Sequence, residues 1–185
     1  MTSDWPPSEQ AVIEQWTEQH YPDHMYCEEV PVRNVTEDPF DIEVDGSEVA
    51  AKKADLILLP SPSPQVREEI QEYVLNTGKG VEYDDDQNAV IPSDDAVLLE
   101  ATLANWPDDS IPVQIFEAKQ KLGYSALGQI IVYAQHFPKQ YAGLGTDIEI
   151  VEAGLIYSTG DEMIERSAEN LDLTTYQVSP PDTPQ

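Results

Sequence analysis

The sequence is poor in cysteine, in basic residues and in long apolar runs. Cys27 is the only cysteine, which excludes a disulfide within the chain, a zinc site of four cysteines and an iron–sulfur cluster. The N-terminus lacks the basic and apolar segments of a secretory signal. No apolar window reaches the length of a membrane span. We therefore expect a cytoplasmic protein that does not enter membranes.

Basic residues are the scarcest polar class. The 185 residues include 9 Lys and Arg against 36 Asp and Glu, which gives a formal net charge of −27 at pH 7. This charge would oppose a compact fold at low salt, but the apolar periodicity of the chain argues against an acidic disordered protein. We expect a halophilic protein in a high-salt cytoplasm, where a Debye length of about 3 Å screens the repulsion. In molar salt, binding to a nucleic acid must rest on metal bridges and close polar contacts.

The length fits one domain, and the apolar pattern alternates between helical and strand periodicity. It predicts helices over 6–20, 64–76, 124–137 and 161–169, and strands over 25–35, 54–59, 113–117 and 149–158. Residues 96–106 fit either type, and residues 84–88 are a candidate hairpin turn. The expected fold is α/β, with a mixed central sheet of about four or five strands flanked by helices.

The domain is expected to span 1–178 and to carry an insertion between two core strands, over about 61–111. The tail 179–185 is rich in proline and has no apolar residues, so we expect it to be disordered.

Two predicted strands and one predicted helix carry polar residues within apolar stretches. Glu117 and Lys119 lie two residues apart at the end of an apolar strand, so their side chains share one face. Asp55 begins another apolar strand. Gln129 and Tyr133 lie four residues apart on the helix that follows Lys119, about 40° apart around its axis. Carboxylate oxygens suit Mg²⁺, and a nearby amine can orient a water or stabilise a phosphate in the transition state.

The order of these elements resembles the PD-(D/E)xK nuclease superfamily. An Asp in an apolar strand, Glu-x-Lys ending a second one, and Gln-x-x-x-Tyr on the next helix are most similar to the RecB-like members. The resemblance covers residues 8 to about 158 apart from the insertion, and it implies a restriction-endonuclease-like fold.

The resemblance also implies roles for individual residues. Asp55, Glu117 and the backbone carbonyl of Ala118 would be ligands of Mg²⁺ or Mn²⁺, and Lys119 would be the catalytic amine. Gln129 and Tyr133 would be the helix pair that contacts the substrate backbone or supports Lys119.

Members of this superfamily often add a glutamate from the first helix. Glu9 precedes Ile13 by four residues and Trp16 by seven, which places it on the buried face of that helix. Glu14 and Glu18 are expected to face the solvent. Glu9 is therefore the predicted additional metal ligand and site residue.

Two alternatives concern the metal ligands. The segment between Asp55 and Glu117 is longer than the superfamily usually shows, so either the insertion is real or Asp94 or Asp95 replaces Asp55. Asp55 is preferred because an apolar strand follows it. A zinc site at His20 and His24 is disfavoured, since Pro22 between them prevents a continuous helix.

The implied function is hydrolysis of phosphodiester bonds with Mg²⁺ or Mn²⁺, with DNA as the expected substrate and RNA as the alternative. Lysines that flank the two active strands would suit a phosphate; they are Lys52, Lys53, Lys119 and Lys121. The alternative function is a catalytically inactive nuclease-fold protein that acts as a structural or protein-interaction module, for which a homodimer formed through the insertion would be suitable. A third hypothesis is a halophilic protein of another α/β fold.

Overall fold

A computed structural model describes residues 8–32, 52–77, 82–83, 89–90 and 95–178. The elements in chain order are α1 (Glu9–His20), β1 (His24–Val32), β2 (Lys52–Pro60), α2 (Pro64–Thr77), β3 (Glu82–Tyr83), β4 (Ala89–Val90), α3 (Asp95–Ala104), β5 (Ser110–Lys121), α4 (Tyr124–Tyr141), β6 (Asp147–Thr159), α5 (Glu162–Glu169) and β7 (Thr174–Gln177). None of the helices in these ranges combines the length and the apolar character that crossing a membrane requires.

The central sheet has five strands in the order β1-β2-β5-β6-β7. β1, β2 and β5 pair antiparallel, whereas β5, β6 and β7 pair parallel, so the sheet is mixed. β3 and β4 form a separate antiparallel pair. The expectation of an α/β fold built on a mixed sheet with flanking helices is confirmed.

Helices cover both faces of the sheet because the core strands are apolar on both faces. Ile57 of β2 and Ile115 of β5 belong to the larger core, which includes residues of α3, α4 and α5. Leu56 and Phe116, the neighbours of these two, belong to a smaller core with Trp16 of α1. Successive strand residues point to opposite faces, so α1 lies on one face of the sheet and α3, α4 and α5 lie on the other.

Pairing between β2 and β5 stops next to Asp55. The backbone ladder runs from Leu58 to Leu56 on β2, and Leu56 pairs with Phe116. On the other side of β2, Glu29 of β1 stands opposite Asp55 in the register and has a positive φ of 53°, which is uncommon for a residue other than glycine. We call the end of pairing beyond Leu56 and Phe116 the ladder break.

The segment between β2 and β5 contains α2, β3, β4 and α3. The helix predicted over 64–76 is confirmed, and the ambiguous stretch 96–106 folds mainly as the helix α3. Leu99 and Leu103 of α3 pack into the larger core, while Val66 and Ile70 of α2 pack against α3.

Two elements, α4 and β7, differ from the sequence-based expectations. α4 continues past the predicted end at residue 137 to Tyr141, with Pro138 inside it. The short strand β7 was not expected. The candidate turn 84–88, the end of the predicted strand beyond Val32 and the tail 179–185 lie outside the described residues.

Candidate functional site

Asp55 lies at the ladder break and bridges to the neighbouring strand with its side chain. Its Oδ2 accepts a hydrogen bond of 2.8 Å from the backbone N–H of Ala118 on β5. In a regular ladder this N–H would donate to a backbone carbonyl of the neighbouring strand, and here the Asp55 carboxylate takes the place of that carbonyl. Asp55 and Ala118 are 63 residues apart in the chain, and this contact holds the carboxylate at the end of β5, where its side chain is 13% exposed.

The ammonium of Lys119 lies at the centre of a cluster of oxygens. Its Nζ is 3.0 Å from Oδ2 of Asp55, 2.9 Å from Oε1 of Glu117 and 2.7 Å from the carbonyl oxygen of Ala118. Oε2 of Glu9 is farther away, at 3.7 Å. Burial opposes the charge on Lys119, but the contacts with Glu117 and Asp55 outweigh it and raise its pKa above the usual 10.5.

Glu117 is the most deeply buried member of the cluster, with 1% of its side chain exposed. Burial raises its pKa from 4.5 to about 7; the charges of Asp55 and Glu9 add to this effect, and Lys119 counteracts it. Oε1 faces Lys119, whereas Oε2 is buried and has no hydrogen-bond partner among the described residues. Buried polar atoms normally have partners, so the unpartnered Oε2 is an exception among the buried polar atoms.

Glu9 approaches the cluster from the other side of the sheet. It is the first residue of α1, whose N-terminus is capped by Ser8 through a 3.2 Å hydrogen bond from the N–H of Ala11. The sequence placed Glu9 on the buried face of the helix, but its side chain is 48% exposed. This expectation was wrong because Glu9 is the first residue of α1, and the residues that the helix buries in the smaller core begin at Val12. Glu14 and Glu18 are exposed, as expected.

The helix pair Gln129 and Tyr133 faces the same region from α4. The amide Nε2 of Gln129 donates to the Tyr133 hydroxyl at 3.1 Å, and Tyr133 is buried. Burial raises the pKa of Tyr133; the Gln129 hydrogen bond lowers it, and the charges of Glu117 and Asp55 raise it further. The hydroxyl is therefore neutral and lies within electrostatic range of the two carboxylates.

Comparison of the chain with models of protein families, with curated proteins and with solved structures gave no match. The resemblance to the PD-(D/E)xK nucleases therefore rests on the sequence motifs of this chain alone.

The cluster partly meets the requirements of a metal site. No group of three or more His, Cys, Asp or Glu residues within the described ranges is arranged to hold a metal ion. Asp55 and Glu117 nevertheless contact one and the same cation, the Lys119 ammonium, so both can reach a single ion. Two carboxylates and the Ala118 carbonyl form a hard oxygen donor set, which Mg²⁺ would complete with waters.

Of the four lysines that flank the predicted active strands, Lys119 alone among the described side chains enters the cluster. Lys53 pairs with Glu29 at 3.2 Å on the surface, and Lys121 is exposed at the end of β5. The side chain of Lys52 lies outside the described part of the structure.

The alternative metal ligands do not gain support. Asp94 lies outside the described residues, and Asp95 begins α3. The imidazole of His20 stacks on Trp16 and its Nδ1 lies 3.0 Å from the Trp16 carbonyl, whereas His24 packs edge-on against Tyr21. The two histidines thus serve the aromatic packing around the end of α1.

One polar cluster was missed from the sequence. The hydroxyls of Tyr21 and Tyr176 donate to the two carboxylate oxygens of Glu152, at 2.9 Å and 2.7 Å. Burial raises the pKa of Tyr21 to about 12, and the bond to Glu152 adds to this. The cluster ties the end of α1 to β6 and β7. The indication of this cluster in the sequence was Glu152, an acidic residue next to the apolar part of β6.

A cleft of about 260 Å³ lies beside this end of α1, lined by residues that include Glu14, Glu18, Tyr21, His24 and Tyr26. None of the residues around Lys119 lines it. The cleft and the cluster at the ladder break are therefore separate features.

Proposed function

We propose that the protein is a metal-dependent nuclease that hydrolyses phosphodiester bonds of DNA. One observation carries the proposal: Asp55, Glu117 and Lys119, drawn from two strands, converge where the β2–β5 ladder ends, and a buried oxygen of Glu117 is left without a partner. Burial of a carboxylate beside other carboxylates is unfavourable unless a cation binds there. The single charge of Lys119 offsets this cost in part, and a bound metal ion would offset the rest.

The fold that we propose is that of the PD-(D/E)xK superfamily. The mixed five-stranded sheet with helices on both faces supports it. So does the pair Gln129 and Tyr133 on α4, because the charges of Glu117 and Asp55 contribute to the raised pKa of Tyr133.

The residues divide the work of the reaction. Asp55, Glu117 and the Ala118 carbonyl would hold Mg²⁺ or Mn²⁺, with Glu9 at the exposed side. When bound, the ion supplies a water of lowered pKa and neutralises charge on the phosphate. Lys119 would donate hydrogen bonds from Nζ to the attacking water or to a phosphate oxygen. Gln129 fixes the Tyr133 hydroxyl, which remains a neutral donor beside the carboxylates.

The net charge sets the conditions for binding a nucleic acid. With −27 on the chain, contact between the protein and DNA would rest on the metal ion and on Lys119, and the natural medium would be a high-salt cytoplasm. DNA is preferred over RNA on the basis of the resemblance alone.

The test is a nuclease assay in molar KCl with Mg²⁺ or Mn²⁺, on duplex DNA, single-stranded DNA and RNA. We expect Asp55→Asn, Glu117→Gln and Lys119→Ala each to lower the cleavage rate roughly a hundredfold or more. The matched control is Lys53→Ala, which removes an exposed amine two residues from Asp55. Cleavage that survives in all three site variants would overturn the proposal.

One observation favours a second candidate, an inactive nuclease-fold protein with a structural or protein-interaction role. The Lys119 ammonium already lies 2.9 Å from Glu117 and 3.0 Å from Asp55, so the cluster is neutralised in part without a metal ion. This candidate predicts no cleavage and no binding of Mn²⁺. It also predicts a dimer that is lost when residues 61–109 are altered, measured by light scattering.

A further inference from the structure

We propose that Lys119 competes with the metal ion for one position, so that a divalent ion binds only after the Lys119 side chain has moved away. The inference rests on the proposed function, because it assigns Asp55 and Glu117 to the ion. In addition to assisting catalysis, the Lys119 amine would keep other cations out of the site when no metal ion is bound.

The arrangement around Nζ supports this competition. Oxygens of Asp55, Glu117 and Ala118 lie 2.7–3.0 Å from this one nitrogen. Oδ2 of Asp55, Oε1 of Glu117 and the Ala118 carbonyl oxygen converge on this point, and an ion held by these three oxygens would occupy it. A divalent cation at that point would overlap the ammonium and would be repelled by it at contact distance.

The lysine is the mobile partner in this contact. Glu117 is enclosed, with 1% of its side chain exposed, and Asp55 is fixed by the N–H of Ala118. The Lys119 side chain is 24% exposed and has a flexible four-carbon stem. Movement of Lys119 toward solvent is therefore the change that frees the oxygens.

Glu9 provides a destination for the displaced ammonium. Its carboxylate is the outermost of the three and lies 3.7 Å from Nζ. When the ion neutralises Asp55 and Glu117, Glu9 remains as the carboxylate on the exposed side. Glu9 would then act as a positioning residue that keeps Lys119 near the substrate.

Competition has a consequence that simple catalytic assistance does not have. If Lys119 is displaced in only a small fraction of the molecules, only that fraction can bind the ion. The apparent affinity for the ion is then lower than the intrinsic affinity by the same factor. Removing the amine should therefore tighten metal binding while it abolishes cleavage.

The experiment measures Mn²⁺ binding to the full chain without nucleic acid, by titration calorimetry in molar KCl. We expect Lys119→Gln to bind Mn²⁺ roughly tenfold more tightly than the wild type, as removal of a competing state requires. The matched control Lys53→Gln removes the same charge from the neighbouring strand and should leave the affinity unchanged. Asp55→Asn should weaken binding.

A second measurement uses the wild-type protein and does not depend on the folding of a variant. Acetylation by acetic anhydride, read by mass spectrometry of peptides, should modify Lys119 faster when Mn²⁺ is present, with Lys53 as the internal reference. Faster labelling of Lys119 supports the inference.

The outcomes separate this inference from the proposed function. If the wild type binds Mn²⁺, but Lys119→Gln binds it no more tightly or labelling of Lys119 does not change, the competition is refuted and the metal site stands. If neither the wild type nor Lys119→Gln binds Mn²⁺, the metal site itself is refuted and the competition with it.

Discussion

Glu117 is the residue whose ionisation is most altered by the fold. Burial raises its pKa from 4.5 to about 7, so the folded protein holds this proton more tightly than the unfolded chain does. Unfolding between these pH values releases the proton. The contribution of Glu117 to stability therefore falls as the pH rises through the window. Lys119 stays charged there, because its pKa is raised above 10.5.

The corresponding prediction compares the wild type with Glu117→Gln, which cannot ionise. In molar KCl with a chelator, the free energy of unfolding of the wild type should fall between pH 5 and pH 8 by about 1 to 2 kcal/mol more than that of the variant. Urea unfolding at both pH values measures this difference. The exposed residue Glu14 supplies the control variant Glu14→Gln, whose pH dependence should match the wild type. Parallel profiles for the wild type and Glu117→Gln would contradict the raised pKa.

At the scale of elements, α1 is attached to the sheet by aromatic packing. Trp16 is fully buried, and its ring centroid lies 4.6 Å from that of Phe116 and 5.0 Å from that of Tyr176. The same helix carries Glu9 to the ammonium of Lys119. Loss of this packing should therefore affect both the stability of the fold and the geometry of the site.

We predict that Trp16→Ala lowers the free energy of unfolding by about 3 to 5 kcal/mol, the usual result of emptying a large buried site. It should also lower the cleavage rate in the nuclease assay, because the helix that carries Glu9 would no longer be packed firmly on the sheet. Urea unfolding and initial cleavage rates measure the two effects. On the same helix, Glu14→Ala should change stability by less than about 0.5 kcal/mol. A Trp16→Ala protein as stable as the control would show that α1 is held by other contacts.

The elements also show what could be predicted from the sequence. β2, β5 and α4 were predicted because each carries a strong periodic pattern: Leu56 to Leu59 form an apolar run, and Ile130 and Phe137 define a helix face. The convergence of Asp55 with Lys119 followed from the resemblance, since strand order is not readable from spacing alone.

Other features depend on contacts between distant parts of the chain. β7 has no apolar alternation of its own and forms by pairing with β6. Tyr21 and Glu152 are 131 residues apart, so no local pattern links them. The exposure of Glu9 depends on where α1 crosses the sheet, and the positive φ of Glu29 occurs without a glycine to indicate it.

At the scale of the whole molecule, the acidic excess dominates. Ion pairs among the described residues include those of Lys53, Lys119 and Arg166, but 9 basic residues cannot neutralise 36 acidic ones. Self-repulsion among the surface carboxylates should therefore limit stability at low ionic strength.

We predict that raising KCl from about 0.1 M to about 2 M increases Tm by roughly 5 °C or more, because the Debye length shortens from about 10 Å to less than 3 Å. Differential scanning calorimetry measures the shift. A variant with Glu68, Glu69 and Glu72, all exposed on α2, changed to Gln should show a smaller shift. An equal shift in both proteins would mean that salt acts through solvation of the core, not through screening.

The ladder break determines which changes of chain length the protein can tolerate. The Asp55 carboxylate lies one residue beyond the last paired residue of β2, and the Ala118 N–H lies two residues beyond the last paired residue of β5. The pairing register of β2 and β5 therefore aligns the two halves of the site. A single residue inserted between Asp55 and Leu58 would rotate the carboxylate away from β5, whereas added residues between Pro60 and Ser110 leave that alignment intact. Evolution and protein engineering can therefore lengthen the connection outside its helices, while the two strands must keep their number of residues.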